Sequence, residues 1–400
     1  VATVLFVAAL LHLIIICRVS RSALRAKYTP TTYDILTADQ RSRVLGDRWR
    51  WNEAETVEDP VTGYSRHRLL SHHHEWRNLA SNSNEETFMC EGVVVTIYSS
   101  EVGALRDCMP SSSVRWSTAI AASLVLGDGA DGLHGEERND IMPVVDYFLA
   151  PSLDGTGQSW FLVTPVMSAG HLGHLAKQLR QSEHKHDAQD LDSIFRPSFE
   201  HILTTIHDMH TINGLCHDDI RPSNIFVAAE AAAPNISTPW LLSGMSNVRE
   251  TDHPYHKSSI WTRSQLHDCQ ANDVVQLVKT YMKFLSDAVE NNAEFNNEFL
   301  TGETAWSRLF WSTWYDMQQK QPITASRLLA RSQSLDFVAD SPSRPSSFGL
   351  WPVQLRDPVY WSLMGREKTL ARAVKNKLSF GASEKSARLW GLTSILGMPE

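Results

Sequence analysis

The sequence GLCHDDIRPSNIFV occupies residues 214–227 and carries a dense group of polar side chains. Within it, His217, Asp219 and Asn224 follow the spacing H-x-D-x-x-x-x-N, and Arg221 lies two positions after the aspartate. A carboxylate, a guanidinium and an amide placed this close together can orient a reacting group and neutralise its charge. The stretch therefore predicts a polar loop that is a candidate site for chemistry.

The residues on both sides of this loop predict regular structure. Residues 194–212 carry apolar side chains at helical spacing, and Gly214 is typical of a helix end. Asn224–Val227 and Trp240–Leu242 predict two short strands. In NDVVQLVKTYMKFL the apolar residues nearly encircle the helix, which predicts a buried helix that begins near Asp273.

The part of the chain before the loop is richer in strand signals. The predicted strands are Glu91–Tyr98, Ile141–Leu149 and Trp160–Met167, and the predicted helices outside the loop region are Ser111–Leu126 and Ile323–Leu329. Strands thus come first and mostly helices follow, without alternating βαβ units. This order predicts an α+β fold.

With these flanking elements, HDDIRPSN resembles the catalytic loop of protein kinases, H-R-D-x-K-x-x-N. Other segments agree in order: SWFLVTPVMSAGHLGHL resembles the fifth strand, hinge and next helix, ANDVV the start of the central helix, and QPITASRLLA the start of the last helix. The resemblance covers roughly residues 80–335. It implies a two-lobed protein-kinase-like fold with a small β-rich N-lobe and a larger helical C-lobe.

The resemblance implies roles for individual residues. Asp219 would orient the attacking hydroxyl, Arg221 would touch the transferred phosphate, and Asn224 would bind the metal. Asp273 would hold the loop backbone. The implied nucleotide-binding residues are the gatekeeper Thr164, the hinge residues Pro165, Val166 and Met167, and Phe226 after the loop. A second interpretation of Asp219 and Asn224 has equal weight with residual catalysis: the two residues brace the loop.

The lysine and glutamate that hold nucleotide phosphates in a kinase have no counterparts. After Lys27 the next lysine is Lys177, beyond the hinge, so no lysine is available to the third strand. Tyr98 occupies that position in the most natural alignment. The following segment, SSSVRWSTAIAASLVLG, contains no carboxylate that could pair with a lysine.

The metal-binding triplet D-F-G and the glycine-rich loop are also lost. In LLSGMSNV, either Ser243-Gly244-Met245 replaces the triplet, or one residue is deleted and Gly244 is its glycine. Either way the segment lacks the carboxylate that a hard divalent cation prefers. RNLASNSNEETFMCEG has a single glycine at its end, and Glu85 and Glu86 would repel phosphates at this place.

Asp218 replaces the arginine with which many kinases read a phosphorylated activation segment. A carboxylate repels phosphate, so we expect no activation by this route. The activation segment would run from about Ser243 to Gln270, with available hydroxyls at Ser258, Ser259 and Thr262.

These losses predict a pseudokinase, which would act as a scaffold or an allosteric regulator of a protein partner or client kinase. The expected cofactor is none, or weakly bound ATP and magnesium. One alternative is an active, divergent Ser/Thr-type kinase that transfers phosphate from ATP with Asp219, Asn224 and a relocated cation. Another is a small-molecule phosphotransferase on the same fold. The net charge of −8 argues against a nucleic-acid-binding protein.

The N-terminal sequence predicts a membrane anchor. Residues 1–17 are uncharged, and this segment has a length near the lower limit for a spanning helix. It is followed by four basic residues, Arg18, Arg21, Arg25 and Lys27. The basic flank predicts a cytosolic location for the remainder of the chain. A buried helix and a signal-peptide core are the competing interpretations, but a signal peptide carries its basic residues before the apolar run.

The expected organisation is therefore that of a single-pass membrane protein with a cytosolic kinase-like domain. Its parts are a transmembrane helix at 1–17, a juxtamembrane region with possible first strands at 18–79, the kinase-like domain at 80–335, and a C-terminal tail at 336–400. The five cysteines are scattered and lack C-x-x-C spacing. They predict neither a disulfide framework nor a zinc site, and favour a reducing compartment.

Overall fold

In the computed structural model of the protein, the described residues are 2–27, 29, 31, 65–81, 85–90, 92–99, 117–127, 140–153, 157–228, 239–258, 261, 266, 268–333 and 358–380. They form a mixed α+β fold in which an antiparallel sheet precedes a mostly helical part. The predicted fold class, at this level, is confirmed.

Helix α1 extends from Ala2 to Lys27, over the segment for which a transmembrane anchor was predicted. Within the described part of the chain, no helix combines the length and the apolar character needed to cross a bilayer. The predicted transmembrane helix and single-pass localisation are therefore wrong, and the membrane contact expected through residues 1–17 loses its basis.

The sheet has five antiparallel strands in the order β1-β2-β3-β5-β4. They are β1 (Arg77–Ser81), β2 (Glu85–Cys90), β3 (Val93–Ser99), β4 (Asp146–Pro151) and β5 (Gln158–Pro165). Side chains alternate between the two faces of a strand, and β3 follows this rule. Val93, Val95 and Ile97 pack in a small cluster on one face, whereas Tyr98 joins the main core on the other.

Two helices cover the two faces of the sheet. Helix α2 (Arg66–Ser71) adds Leu69 to the small cluster, and Arg66 forms a two-pronged ion pair with Asp146 on β4. Helix α3 (Thr118–Gly127) lies in the main core, where residues 118–126 are all buried. A helix that is buried all round needs apolar residues on every side, which explains its lack of charge.

The helical part begins after β5. Its helices are α4 (Leu172–Gln181), α5 (Ala188–Thr211), α6 (Cys269–Ala288), α7 (Asn292–Thr301), α8 (Ala305–Gln318), α9 (Ala325–Gln333) and α10 (Pro358–Lys377). Helix α6 lies at its centre, and Val274, Leu277, Tyr281 and Leu285 are fully buried there. The prediction of a buried helix at this place is confirmed.

Short strand pairs connect α5 to α6. They are β6 (Leu215–Cys216) with β9 (Arg249–Glu250), and β7 (Ile225–Val227) with β8 (Trp240–Leu242). The loop 217–224 lies between β6 and β7. Two further turns of 3₁₀ helix, Met245–Asn247 and Pro254–Lys257, lie between β8 and α6.

The packed core extends beyond the predicted domain limits of 80 and 335. Helix α2 lies before residue 80, and α10 contributes Leu370 and Val374 to the main core. Part of the expected tail is therefore integral to the fold. Most of residues 28–64, and residues 334–357 before helix α10, lie outside the described residues.

Candidate functional site

Helix α6 holds the loop 217–224 through a buried carboxylate. Asp273 accepts hydrogen bonds from the backbone N–H of His217 at 2.7 Å and of Asp218 at 2.9 Å. His210 Nε2 donates to the same carboxylate at 3.1 Å. A carboxylate buried this completely is tolerated because donors satisfy its oxygens. The contact expected between Asp273 and the loop backbone is present.

The same helix holds the middle of the loop. Gln276 Oε1 accepts from the Ile220 N–H at 2.9 Å, and the Thr280 hydroxyl donates to the Ile220 carbonyl at 3.2 Å. Asp273, Gln276 and Thr280 are spaced by helical turns and so share one face of α6. The position of Asp219, next to Ile220, is therefore fixed by α6.

The predicted catalytic and metal residues lie together. Arg221 Nε is 2.5 Å from the Asp219 carboxylate, and Asn224 Nδ2 donates to the Asp219 carbonyl at 2.8 Å and to its carboxylate at 3.3 Å. The Asp219 side chain is 22% exposed and that of Arg221 is 53% exposed. Asp219 is thus engaged by both neighbours, an arrangement that braces the loop.

Ser243 and Gly244 lie directly beside Asn224. The Ser243 N–H donates to the Asn224 carbonyl at 2.8 Å, and His217 Nε2 donates to the Ser243 carbonyl at 3.0 Å. Gly244 has a φ of 81°, and a Cβ there would lie 2.7 Å from Asn224 Cγ. Glycine is required here both by its backbone conformation and by this contact. Ser243 and Gly244 therefore offer a hydroxyl and a bare backbone in place of the carboxylate expected from a D-F-G triplet.

A polar cluster of Tyr98, Glu85 and Ser246 links the sheet to the segment after Ser243. Glu85 and Tyr98 are direct partners in the β2–β3 register, and Ser246 Oγ donates to Glu85 Oε2 at 3.1 Å. Burial raises the pKa of the Tyr98 phenol, Glu85 raises it further, and a hydrogen bond with Ser246 opposes the shift. Tyr98 therefore stays a neutral, buried group.

The sequence identified Tyr98 and Glu85 one by one, but not their contact with Ser246. Ser246 follows β8 by a few residues, and nothing in its local sequence marks a partner on a strand far earlier in the chain. The contact depends on how the segment after Ser243 packs against α3. The only signal available was the cross-strand position of Glu85 relative to Tyr98.

The predicted nucleotide-binding residues lie at the end of β5 and on β7. Thr164, Pro165, Val166 and Met167 are half-buried, and the Val166 N–H donates to the Gly92 carbonyl at 3.1 Å. Phe226 is half-buried on β7 and contacts His171 edge-on, with ring centroids 6.3 Å apart. The Gly170 carbonyl accepts from the Val227 N–H at 3.0 Å, so β7 adjoins the turn after Met167.

Asp218 has buried partners that sequence reasoning did not find. Arg249 Nη1 donates to Asp218 Oδ2 at 2.9 Å, and His256 Nε2 donates to the same oxygen at 2.7 Å. Burial alone would raise the pKa of Asp218, but the hydrogen bond from His256 and the charge of Arg249 hold it below its ordinary value. The three side chains are almost completely buried.

Cys216 and Cys269 form a disulfide, although the scattered cysteines had predicted no disulfide framework. Sequence spacing failed because the two residues are separated by 53 positions and meet only in the folded chain. Two groups of possible metal ligands exist among the described residues: His210, Cys216 and Asp273, and Cys216, Asp218 and Cys269. Both use Cys216, whose sulfur is bonded to Cys269 in this structure.

Comparison of the chain with protein-family models and with curated proteins gives no match. The resemblance to protein kinases therefore rests on the sequence motifs of this chain alone.

Proposed function

We propose that residues 80–335 form a protein-kinase-like domain without nucleotide chemistry, a pseudokinase that serves a protein partner or client kinase as scaffold or allosteric regulator. The order of elements, from a five-stranded sheet through the loop 217–224 to a buried central helix, supports this family. The bonds from Asp273 to His217 and Asp218 support it as well.

The observation that carries the proposal is the cluster of Tyr98, Glu85 and Ser246. In an active kinase, a lysine at the position of Tyr98 neutralises nucleotide phosphates. This chain has a neutral phenol there and a carboxylate beside it, and Ser246 joins that carboxylate to the segment after Ser243. A phosphate charge ~4 Å from Glu85 would cost up to about 4 kcal/mol at an effective dielectric of ~20, and less with solvent screening.

The metal side of the site supports the same conclusion. Magnesium needs oxygen ligands and keeps near-octahedral geometry, usually with one or two carboxylates. Asn224 offers an amide oxygen but no charge, and the neighbouring Ser243 has no carboxylate. We therefore expect no cofactor, or ATP bound weakly through its adenine near Thr164–Met167.

The Asp218 cluster supports a binding role. In an active kinase, phosphorylation can order the activation segment by giving a cationic pocket its counter-ion. Here Asp218 is itself a carboxylate bonded to Arg249 and His256 on that segment. The segment is thus held without a phosphate, as suits a domain that presents a fixed surface to a partner.

The test is calorimetric and thermal-shift titration of the purified protein with ATP, with and without magnesium. We expect no binding at micromolar concentrations, and any weak binding to be independent of magnesium. The same titrations on Asn224→Ala should match the wild type, because Asn224 has no metal to hold. A phosphotransfer assay with generic protein substrates should give no signal above that of Asp219→Asn.

Micromolar, magnesium-dependent ATP binding that is lost in Asn224→Ala would overturn the proposal. It would favour the active, divergent Ser/Thr-type kinase instead. For the regulatory role, the wild-type chain should change the activity of a captured client kinase, and it should do so equally well with Asp219→Asn. Loss of that effect in Asp219→Asn would indicate catalysis rather than scaffolding.

A further inference from the structure

The disulfide between Cys216 and Cys269 lies at the joint between the loop and the central helix. Cys216 is the last residue of β6 and directly precedes His217. Cys269 is the first residue of α6. The covalent bond therefore ties the start of the candidate site to the helix whose Asp273 holds it.

The segment that precedes α6 covers this disulfide. Cys216 and Cys269 are 0% and 2% exposed, and they form a separate apolar cluster with Tyr255 and Trp261. The indole N–H of Trp261 donates to the Leu266 carbonyl at 2.9 Å. The aromatic side chains of Tyr255 and Trp261 thus exclude solvent from the sulfur atoms.

The same segment is bound to the site by a second set of contacts. On β9, Arg249 pairs with Cys216 in the short β6–β9 ladder and bonds to Asp218. The Arg249 guanidinium also lies 4.7 Å from the centre of the Tyr255 ring. The ring that covers the disulfide therefore contacts the ion pair that holds the segment.

We propose that the Cys216–Cys269 disulfide is a redox-sensitive lock on residues 249–258. An external dithiol reductant attacks one sulfur as a thiolate and forms a mixed disulfide, and its second thiolate then releases the protein. Two electrons and two protons convert Cys216 and Cys269 to thiols, and the reductant becomes a disulfide. In the reduced state the segment is held by noncovalent contacts alone, among them the two-residue ladder, the Asp218 bonds and the packing of Tyr255.

Reduction and opening of the segment are linked in both directions. A thiolate reaches the buried sulfurs only when Tyr255 and Trp261 move away, so opening permits reduction. Loss of the covalent tie in turn favours opening, since the coupling between two equilibria is reciprocal. The lock is independent of nucleotide binding and so does not rest on the proposed function.

Hydrogen exchange with mass spectrometry on the whole chain tests the lock. The oxidised protein and the protein reduced with dithiothreitol are compared at the amides of Thr251, His256 and Ser258, which bond to backbone carbonyls. We expect exchange there to become about tenfold faster on reduction, equivalent to ~1.4 kcal/mol of opening free energy. Amides in α7 should not change.

Substitutions at cysteine and tyrosine residues test whether the disulfide itself causes the change in hydrogen exchange. Cys216→Ser/Cys269→Ser should exchange at the reduced rate whether or not reductant is present, whereas Cys90→Ser, in the sheet and outside the disulfide, should keep the wild-type response. Tyr255→Ala should speed reduction of the disulfide, and Tyr315→Ala on α8 should not. The comparison of oxidised and reduced wild type stands by itself if the double variant fails to fold.

Two results would overturn the lock. One is equal exchange at residues 249–258 in the oxidised and reduced wild type. The other comes from intact-mass measurements after mild oxidation. It is a wild-type mass that still equals the mass of the thiol form, without the loss of two hydrogens that a disulfide requires, as in the double variant, which cannot form it.

Discussion

Ser246 donates a hydrogen bond to Glu85 at 3.1 Å, although 161 positions separate them. The bond joins a strand of the sheet to a turn that follows the candidate site. It also brings a carboxylate beside the buried phenol of Tyr98, its cross-strand neighbour. The sheet and the segment after Ser243 should therefore depend on each other for stability.

Ser246→Ala tests this dependence. We expect it to lower the free energy of unfolding by about 1.5 kcal/mol, the low end for a hydrogen bond to a charged group, because Glu85 is partly exposed. Urea unfolding followed by circular dichroism measures it. Ser168→Ala, at an exposed serine, is the control and should change little. In a double-mutant cycle with Glu85→Ala, which removes the acceptor, additive effects would show that the bond contributes nothing.

Asp273→Ala should be far more damaging. It leaves the buried donors of His210, His217 and Asp218 without their acceptor, and breaking buried charged contacts of this kind costs about 3–5 kcal/mol. Chemical denaturation gives the value. Asp268→Ala removes the N-cap of the same helix and should cost only about 1 kcal/mol. Equal losses for the two variants would contradict the role given to Asp273.

Acid should destabilise the fold through Asp218. Its folded-state pKa lies below the ordinary 3.8, so the folded chain binds this proton less readily than the unfolded chain. The contribution of Asp218 is complete above pH 3.8 and is lost as the pH falls through the lowered folded-state pKa. The urea concentration at the unfolding midpoint is measured from about pH 6 to about pH 3. Toward acid pH it should fall less steeply in Asp218→Asn than in the wild type. Parallel curves would be evidence against this assignment.

Phosphorylation of Ser258 should not order the segment further. Arg249 and His256 already bond to Asp218, so the cations of this cluster are engaged. Replacing Ser258 by Glu and by Gln isolates the charge, and the two variants should differ by less than about 0.5 kcal/mol in stability. Their hydrogen exchange at residues 249–258 should also agree. A clear gain in protection with Glu alone would indicate a phosphate-reading site.

The double variant Cys216→Ser/Cys269→Ser gives a separate estimate of the disulfide. Chain-entropy reasoning for a loop closed over 53 positions predicts a loss of about 4 kcal/mol relative to the oxidised wild type. Denaturation of the wild type with and without dithiothreitol should give a similar difference. No difference in either comparison would mean that the bond does not constrain the unfolded chain.

Local periodicity in the sequence was enough to predict the buried central helix, and the resemblance to the kinase loop implied its contact with the loop backbone. The apolar pattern after Asp273 located α6, and the kinase-like spacing placed its carboxylate under the loop. Predicted strands near Val93–Ser99 and Ile225–Val227 are also observed. These elements are encoded by patterns within a few residues of each other, where hydrophobic spacing is informative.

Contacts between distant parts of the chain could not be predicted in this way. The partners of Asp218 lie 31 and 38 positions later, on segments with no marked pattern. The disulfide and the bond from Ser246 to Glu85 span still longer intervals. Only the packed structure brings such residues together. The N-terminal prediction failed for another reason. Hydropathy reports composition, and among the described residues no helix is both long and apolar enough to cross a membrane.

The close contact between Gly244 and Asn224 limits which substitutions this site could accept. Any side chain at this position would collide with Asn224 and would force a left-handed backbone on a residue that disfavours it. A carboxylate meant to capture a cation must therefore be introduced at Ser243. Return to metal-dependent chemistry is thus confined, within this pair, to the position of Ser243.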